Sequence, residues 1–132
     1  MSSLETAYIV RQLEKVLSPS GGLDWLKGQS CLDAGCGLGI YAAALAFLGA
    51  GSVVGVDKNE GSMKLARSKW IQLGGVEFVV ASIEHLPFTT SSFDLVLCLR
   101  VLHHMFNASH ALTELHRVLK VDGILCGVDA QI

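Results

Sequence analysis

Apolar residues at Leu4, Tyr8, Ile9, Leu13, Val16 and Leu17, with charged residues between them, follow the helical period and predict an amphipathic helix over Leu4–Leu17, within an N-terminal segment 1–18. Ser18-Pro19-Ser20-Gly21-Gly22 ends it, because proline cannot continue a helix and glycine supplies turn geometry. From there unbroken apolar runs alternate with helical spacing. Ser30–Ala34 reads as a first strand, Ile40–Leu48 as a helix and Ser52–Asp57 as a second strand. The next helix is capped by Asn59 and turns Met63, Ala66, Trp70 and Leu73 inward until Gly74-Gly75 stops it. Val76–Val80 is a third strand, and a connection containing Pro87 and Thr89-Thr90-Ser91-Ser92 leads to a fourth, Phe93–Leu97. A helix over Ala108–Lys120 with Leu112, Leu115 and Leu119 facing inward, a turn at Asp122-Gly123 and a fifth strand, Ile124–Val128, complete the series. Strands alternating with helices require right-handed crossovers. The expected fold is therefore an α/β domain, a doubly wound parallel sheet of about five strands with helices on its faces.

With 132 residues, the chain reads as a single domain spanning 1–132. Hydrophobic residues make up 51% of it and the mean hydropathy is +0.48, values that suit either a sheet covered on both faces or a surface that meets a partner. The longest apolar stretch, Ile40–Ala50, is too short for a membrane span, and Glu5, Arg11, Glu14 and Lys15 interrupt the N-terminus where a secretory signal would be apolar. Cys31, Cys36, Cys98 and Cys126 show no paired-ligand spacing and fall mostly in apolar runs, which suits reduced thiols in the cytoplasm. A net charge of −2 with mixed signs offers no nucleic-acid footprint. The five histidines lack companion acids and thiols at ligand spacing, so no metal site is expected.

The chemistry concentrates in Leu32-Asp33-Ala34-Gly35-Cys36-Gly37-Leu38-Gly39, between the first strand and the following helix. Only glycine lets a backbone pass this close to a ligand at positive φ, and amides at a helix N-terminus can face a polar or anionic group. The spacing is GxGxG rather than the GxGxxG of dinucleotide loops, since the last glycine of that pattern would fall on Ile40. This argues against a nicotinamide dehydrogenase. A merely tight strand–helix turn is the plainer alternative.

The segment resembles the first motif of class I S-adenosylmethionine-dependent methyltransferases, and the likeness runs from about Trp25 to Val128, nearest in flavour to the small-molecule methyltransferases of ubiquinone and menaquinone biosynthesis. The resemblance implies S-adenosyl-L-methionine as cofactor, S-adenosyl-L-homocysteine as product, and a loop of Asp33, Gly35, Cys36, Gly37 and Gly39 around the methionine moiety. Asp57 ends the second strand at the crevice, where a carboxylate can accept hydrogen bonds from both ribose hydroxyls or simply cap the next helix. Lys58 either flanks the adenine or is an exposed lysine.

Val79-Val80-Ala81-Ser82-Ile83-Glu84-His85-Leu86-Pro87-Phe88 is similar to the family segment that contacts adenine, but Ser82 stands where the family has aspartate. A neutral hydroxyl accepts more weakly, leaving backbone groups at Ser82 and Ile83 to compensate. Leu99 and Arg100 follow the fourth strand and should face the cofactor, and Asp94 at its start is structural. His103 and His104 are the titratable pair placed to take a proton from an attacking hydroxyl or amine, or else they pack or cap a helix.

Methyl transfer to a small-molecule acceptor is the function these features imply; a non-catalytic cofactor-binding or activator subunit is the alternative. The resemblance implies a Rossmann-like sheet in the order 3-2-1-4-5; the family fold has seven strands, whereas this chain stops after the fifth. Three arrangements suit that: a compact enzyme whose N-terminal helix, with Tyr8 on one face, closes the site; a regulatory subunit; or a truncated chain. The fifth strand would be an apolar edge, and such edges invite pairing, so a homodimer or a partner chain covering it is expected.

Overall fold

The computed structural model describes residues 3–99 and 108–128. Five parallel strands, β1 (Ser30–Ala34), β2 (Ser52–Asp57), β3 (Val76–Val80), β4 (Phe93–Leu99) and β5 (Leu119–Val128), lie in the order β3-β2-β1-β4-β5, as expected. The helices are α1 (Ser3–Leu17), α2 (Leu23–Leu26), α3 (Ile40–Phe47), α4 (Glu60–Lys69) and α5 (Ala108–Val118). The short α2, entered through Gly22 at φ +70°, has too few residues for its periodicity to be read in advance.

Successive strand residues point to opposite faces, and both faces are covered. Cys31, Val53, Leu95 and Leu97 bury against α1, α3 and α4, while Leu32, Ala34, Val56, Val96 and Cys98 bury against α5 and the segment after β3. This two-sided burial accounts for the continuous apolar runs. α1 buries Ile9, Leu13 and Leu17 but leaves Leu4 and Tyr8 largely exposed.

Helix α4 begins as expected, with the Asn59 side chain accepting from the Ser62 amide at 2.8 Å and Met63 and Ala66 fully buried. Trp70 and Leu73 lie beyond its end, only partly buried. Helix α5 differs from the expected pattern. Its inward stripe is Ala111, Leu115 and Val118, at i, i+4 and i+7, so Leu112, about 100° away around the helix, is 43% exposed. Leu119 belongs to β5, where it pairs with Phe93 before the register shifts and Ile124 pairs with Leu95. The surplus residues form a bulge, not a simple turn at Asp122-Gly123. A Cβ on Gly123 would stand 2.6 Å from Leu119 Cδ1 and 2.9 Å from the Asp94 carbonyl, so the bulge requires glycine.

The segment after β3 is tied to α5. Arg117 donates to the Phe88 carbonyl at 2.8 Å and the Leu86 carbonyl at 3.0 Å, while Glu114 accepts from the Leu86 amide at 2.9 Å. The Arg117 guanidinium, bonded to Glu114 at 2.6 Å, holds that carboxyl down at about 2. At the opposite end of β4, Asp94 accepts from the Ser30 amide at 2.9 Å and pairs with Lys120 at 3.3 Å, a structural role as expected.

Candidate ligand-binding site

The chain leaves β1 through three glycines with positive φ, Gly35 at +76°, Gly37 at +55° and Gly39 at +80°. Their uses differ. The Gly35 and Cys36 amides both donate to the Val56 carbonyl, at 2.8 and 2.9 Å, which fastens the loop to the end of β2. The Gly39 amide donates to the Cys36 carbonyl at 2.9 Å, and the Trp70 indole holds the Leu38 carbonyl at 2.9 Å. These three loop amides are therefore engaged inside the protein. What the loop contributes is room: a Cβ placed on Gly37 would meet nothing within 4 Å.

Gly39 owes its place to packing. A Cβ there would lie 2.5 and 2.6 Å from the ring of Phe78, a core residue only 6% exposed. Overpacking of about 1–3 kcal/mol adds to a left-handed strain of about 1–2 kcal/mol. Gly39→Ala should therefore lower the melting temperature by roughly 10 °C, measured by circular dichroism. A shift below about 3 °C would show that the ring yields.

Asp57 turns toward the loop: one oxygen accepts from the Gly37 amide at 3.0 Å and the other from the Asn59 amide at 2.9 Å. It thus joins the loop to the start of α4, and each oxygen keeps acceptor capacity for a further donor. The Asp57 carbonyl takes the Ala81 amide at 3.1 Å, which hangs the segment after β3 beside it. In that segment Ser82 accepts from the Glu84 amide through its hydroxyl at 3.2 Å, and its carbonyl accepts from His85 at 3.1 Å. The Ile83 side chain, 6% exposed, points into the core with Leu32 and Val56, so only its backbone can meet a ligand. Lys58 is exposed.

Asp33 is 3% exposed, and burial pushes its carboxyl up to about 7, with the Asp57 charge adding and a hydrogen bond from the Ala42 amide opposing. Burial also raises the Cys36 thiol, whose sulfur lies 4.0 Å from Met63 Sδ and fills the space a Cβ on Gly55 would need. Cys36 is packed, not reactive.

A cavity of about 610 Å³ opens between this loop and α1. Asp33, Gly35, Cys36, Gly37 and Leu99 line it, and the structure brings these five expected residues together. Gly39, Asp57, Lys58, Ser82 and Ile83 do not line it, although Asp57 and Ser82 flank the other side of the loop through the bonds above. Arg100, His103 and His104 lie outside the described residues. Leu4, Glu5, Tyr8 and Gln12 of α1 and Tyr41 of α3 complete the wall; of these, sequence reasoning pointed only to Tyr8. The i, i+4, i+8 stripe Leu4-Tyr8-Gln12 beside the buried face was the available signal. Among the described residues no three histidine, cysteine or acidic side chains gather as a metal set, and no helix is long and apolar enough to cross a membrane.

The arrangement suits a ligand with an apolar body, hydroxyl donors for a carboxylate and positive charge for a buried acid. The family described as "Methyltransferase domain" matches residues 32–127. The methyltransferase YodH of Bacillus subtilis is 38% identical over 105 residues, which are 79% of this chain and 44% of that protein. The ubiquinone biosynthesis O-methyltransferase of Pseudomonas syringae is 35% identical over 100 residues, 74% of this chain and 43% of the relative. The crystal structure of an S-adenosylmethionine-dependent methyltransferase from Aquifex aeolicus superposes with a TM-score of 0.75 at 26% identity, covering 94% of this chain and 72% of the other. The chain thus spans less than half the length of these two curated relatives.

Proposed function

The chain belongs to the class I S-adenosylmethionine-dependent methyltransferases, and from that premise we propose that it binds S-adenosylmethionine and transfers its methyl group to a small-molecule acceptor. The observation that carries this reading is the open space at Gly37, walled by the loop and α1, with Asp57 accepting from the Gly37 amide. When bound, the cofactor supplies an electrophilic methyl group on a positively charged sulfur. The protein's part is to hold and exclude. Gly35 and Gly37 leave room for the methionine portion, Asp57 accepts the ribose hydroxyls, and backbone groups at Ser82 and Ile83 with the Ser82 hydroxyl meet the adenine, with Lys58 at its margin. The apolar wall of Leu97, Leu99 and Ile40 keeps water from the reacting centre. Arg100 is proposed as a further cofactor contact, and His103 or His104 takes the acceptor's proton where the acceptor has one to lose.

The relative named for ubiquinone biosynthesis supports a small-molecule acceptor. We place residues 1–132 in one cofactor-binding domain, at work in a reducing cytoplasm, to which four free cysteines are suited. Among the described residues β5 pairs only with β4 and presents Leu125 and Val121 to solvent. A second copy or another chain is proposed to cover this edge, and sedimentation as a clean monomer at high concentration would overturn that. Isothermal titration with S-adenosylmethionine, followed by a methyl-transfer screen over phenolic and amine small molecules, tests the main reading. Binding with turnover is expected; binding without turnover would leave a cofactor-binding subunit, and no binding would remove both.

A further inference from the structure

Asp33 is the only buried charged side chain among the described residues, and it faces a cavity. The charged and titratable groups around it come from every element packed there. Asp57 stands at the end of β2, Cys36 on the loop, Tyr41 on α3 and Glu5 and Tyr8 on α1, while the Ala42 amide is its hydrogen-bond donor. All five side chains are acidic or neutral, and among the described residues no lysine, arginine or histidine lines the cavity. Among the described residues the carboxylate shares its apolar wall of Leu97, Leu99 and Ile40 with no basic side chain, so a proton or a cationic ligand supplies its countercharge there.

We infer that Asp33 is a specificity-determining residue that favours the sulfonium cofactor over its thioether product, losing its proton to solvent when the cationic ligand enters and regaining one when the neutral product takes its place. This rests on the cofactor reading above. Both ligands carry an ammonium and a carboxylate; only S-adenosylmethionine adds a positive sulfur, for a net charge one unit higher. An extra positive charge nearby favours the ionised form of Asp33, and the O–H bond that breaks is the only one involved.

The sign follows from burial, which pushes the Asp33 carboxyl up to about 7. A bound cation lowers that value, so affinity for S-adenosylmethionine is full above it and falls as pH drops below it. Between pH 6 and pH 8 the affinity should rise about tenfold for S-adenosylmethionine and less than about twofold for S-adenosylhomocysteine. Titration calorimetry at pH 7 in buffers of low and high ionisation heat should show about half a proton released with the first ligand and far less with the second. The amino group is common to both ligands, so the difference between them reads Asp33. Asp33→Asn should erase the difference in proton count and pH profile between the two ligands. Should that variant fail to fold, the wild-type proton count decides by itself. Equal proton counts and parallel pH profiles for two ligands that both bind would overturn this inference and leave the cofactor reading intact. If neither ligand binds at any pH, both fall.

Discussion

Replacing Gly37 with valine will leave a folded chain that no longer binds S-adenosylmethionine. The backbone at this position has φ +55°, and a branched side chain there costs about 1–2 kcal/mol in strain, a cost that a domain stable by about 5–15 kcal/mol survives. A Cβ at Gly37 meets nothing within 4 Å and Gly37 lines the cavity, so the isopropyl group is expected to occupy space the ligand needs. The expected loss of affinity is about a thousandfold or more, equivalent to ~4 kcal/mol. Titration calorimetry on protein whose circular dichroism matches wild type checks it. Binding within tenfold of wild type would place the ligand away from this loop. The contrast with Gly39 is instructive: two glycines two residues apart, both at positive φ, with one substitution expected to cost binding and the other folding.

Removing the carboxylate at position 57 is expected to have the next largest effect. Asp57→Ala should weaken S-adenosylmethionine binding about ten- to a hundredfold, from the loss of one or two charged hydrogen bonds to the ribose. The structure adds a second consequence. The Gly37 and Asn59 amides both lose their acceptor, so the loop is no longer tied to α4. A stability loss of about 1 kcal/mol, or roughly 3–6 °C in melting temperature, should accompany the change. Asp57→Asn retains one oxygen for the Gly37 amide and should recover most of the stability but little of the affinity, which separates holding the loop from holding the sugar. Wild-type affinity in the alanine variant would show that the ribose is gripped elsewhere.

Much of this protein is legible in order along the chain. Unbroken apolar runs and the 3.6-residue period mark the strands and the four longer helices, and the GxGxG spacing with Asp33 before it and Asp57 at the end of the second strand locates the loop and its partner. These are local signals, written within a few residues, and their alternation implies a parallel sheet; the strand order came with the family resemblance. The Ala111-Leu115-Val118 stripe and the β5 bulge were harder to read. Each depends on which neighbour a residue meets: Leu112 and Ala111 differ by one step around the helix, and Gly123 is needed only because Leu119 and Asp94 close over it.

The chemistry of the site required the tertiary structure. Only the folded chain shows that the Gly35 and Cys36 amides are engaged by Val56, that Gly39 answers to Phe78, and that α1 forms one wall of the cavity. The state of Asp33 belongs to the same class. Its sequence neighbours Leu32 and Ala34 say that it ends an apolar strand, but not that Tyr8, Tyr41, Leu97 and Leu99 line the same cavity with no cation among them. Desolvation is the sum of everything packed around a group, and here that sum runs over segments from residue 4 to residue 99. Local sequence determined the elements and the candidate loop; long-range packing decided which backbone donors are taken, where space remains, and what charge that space will accept.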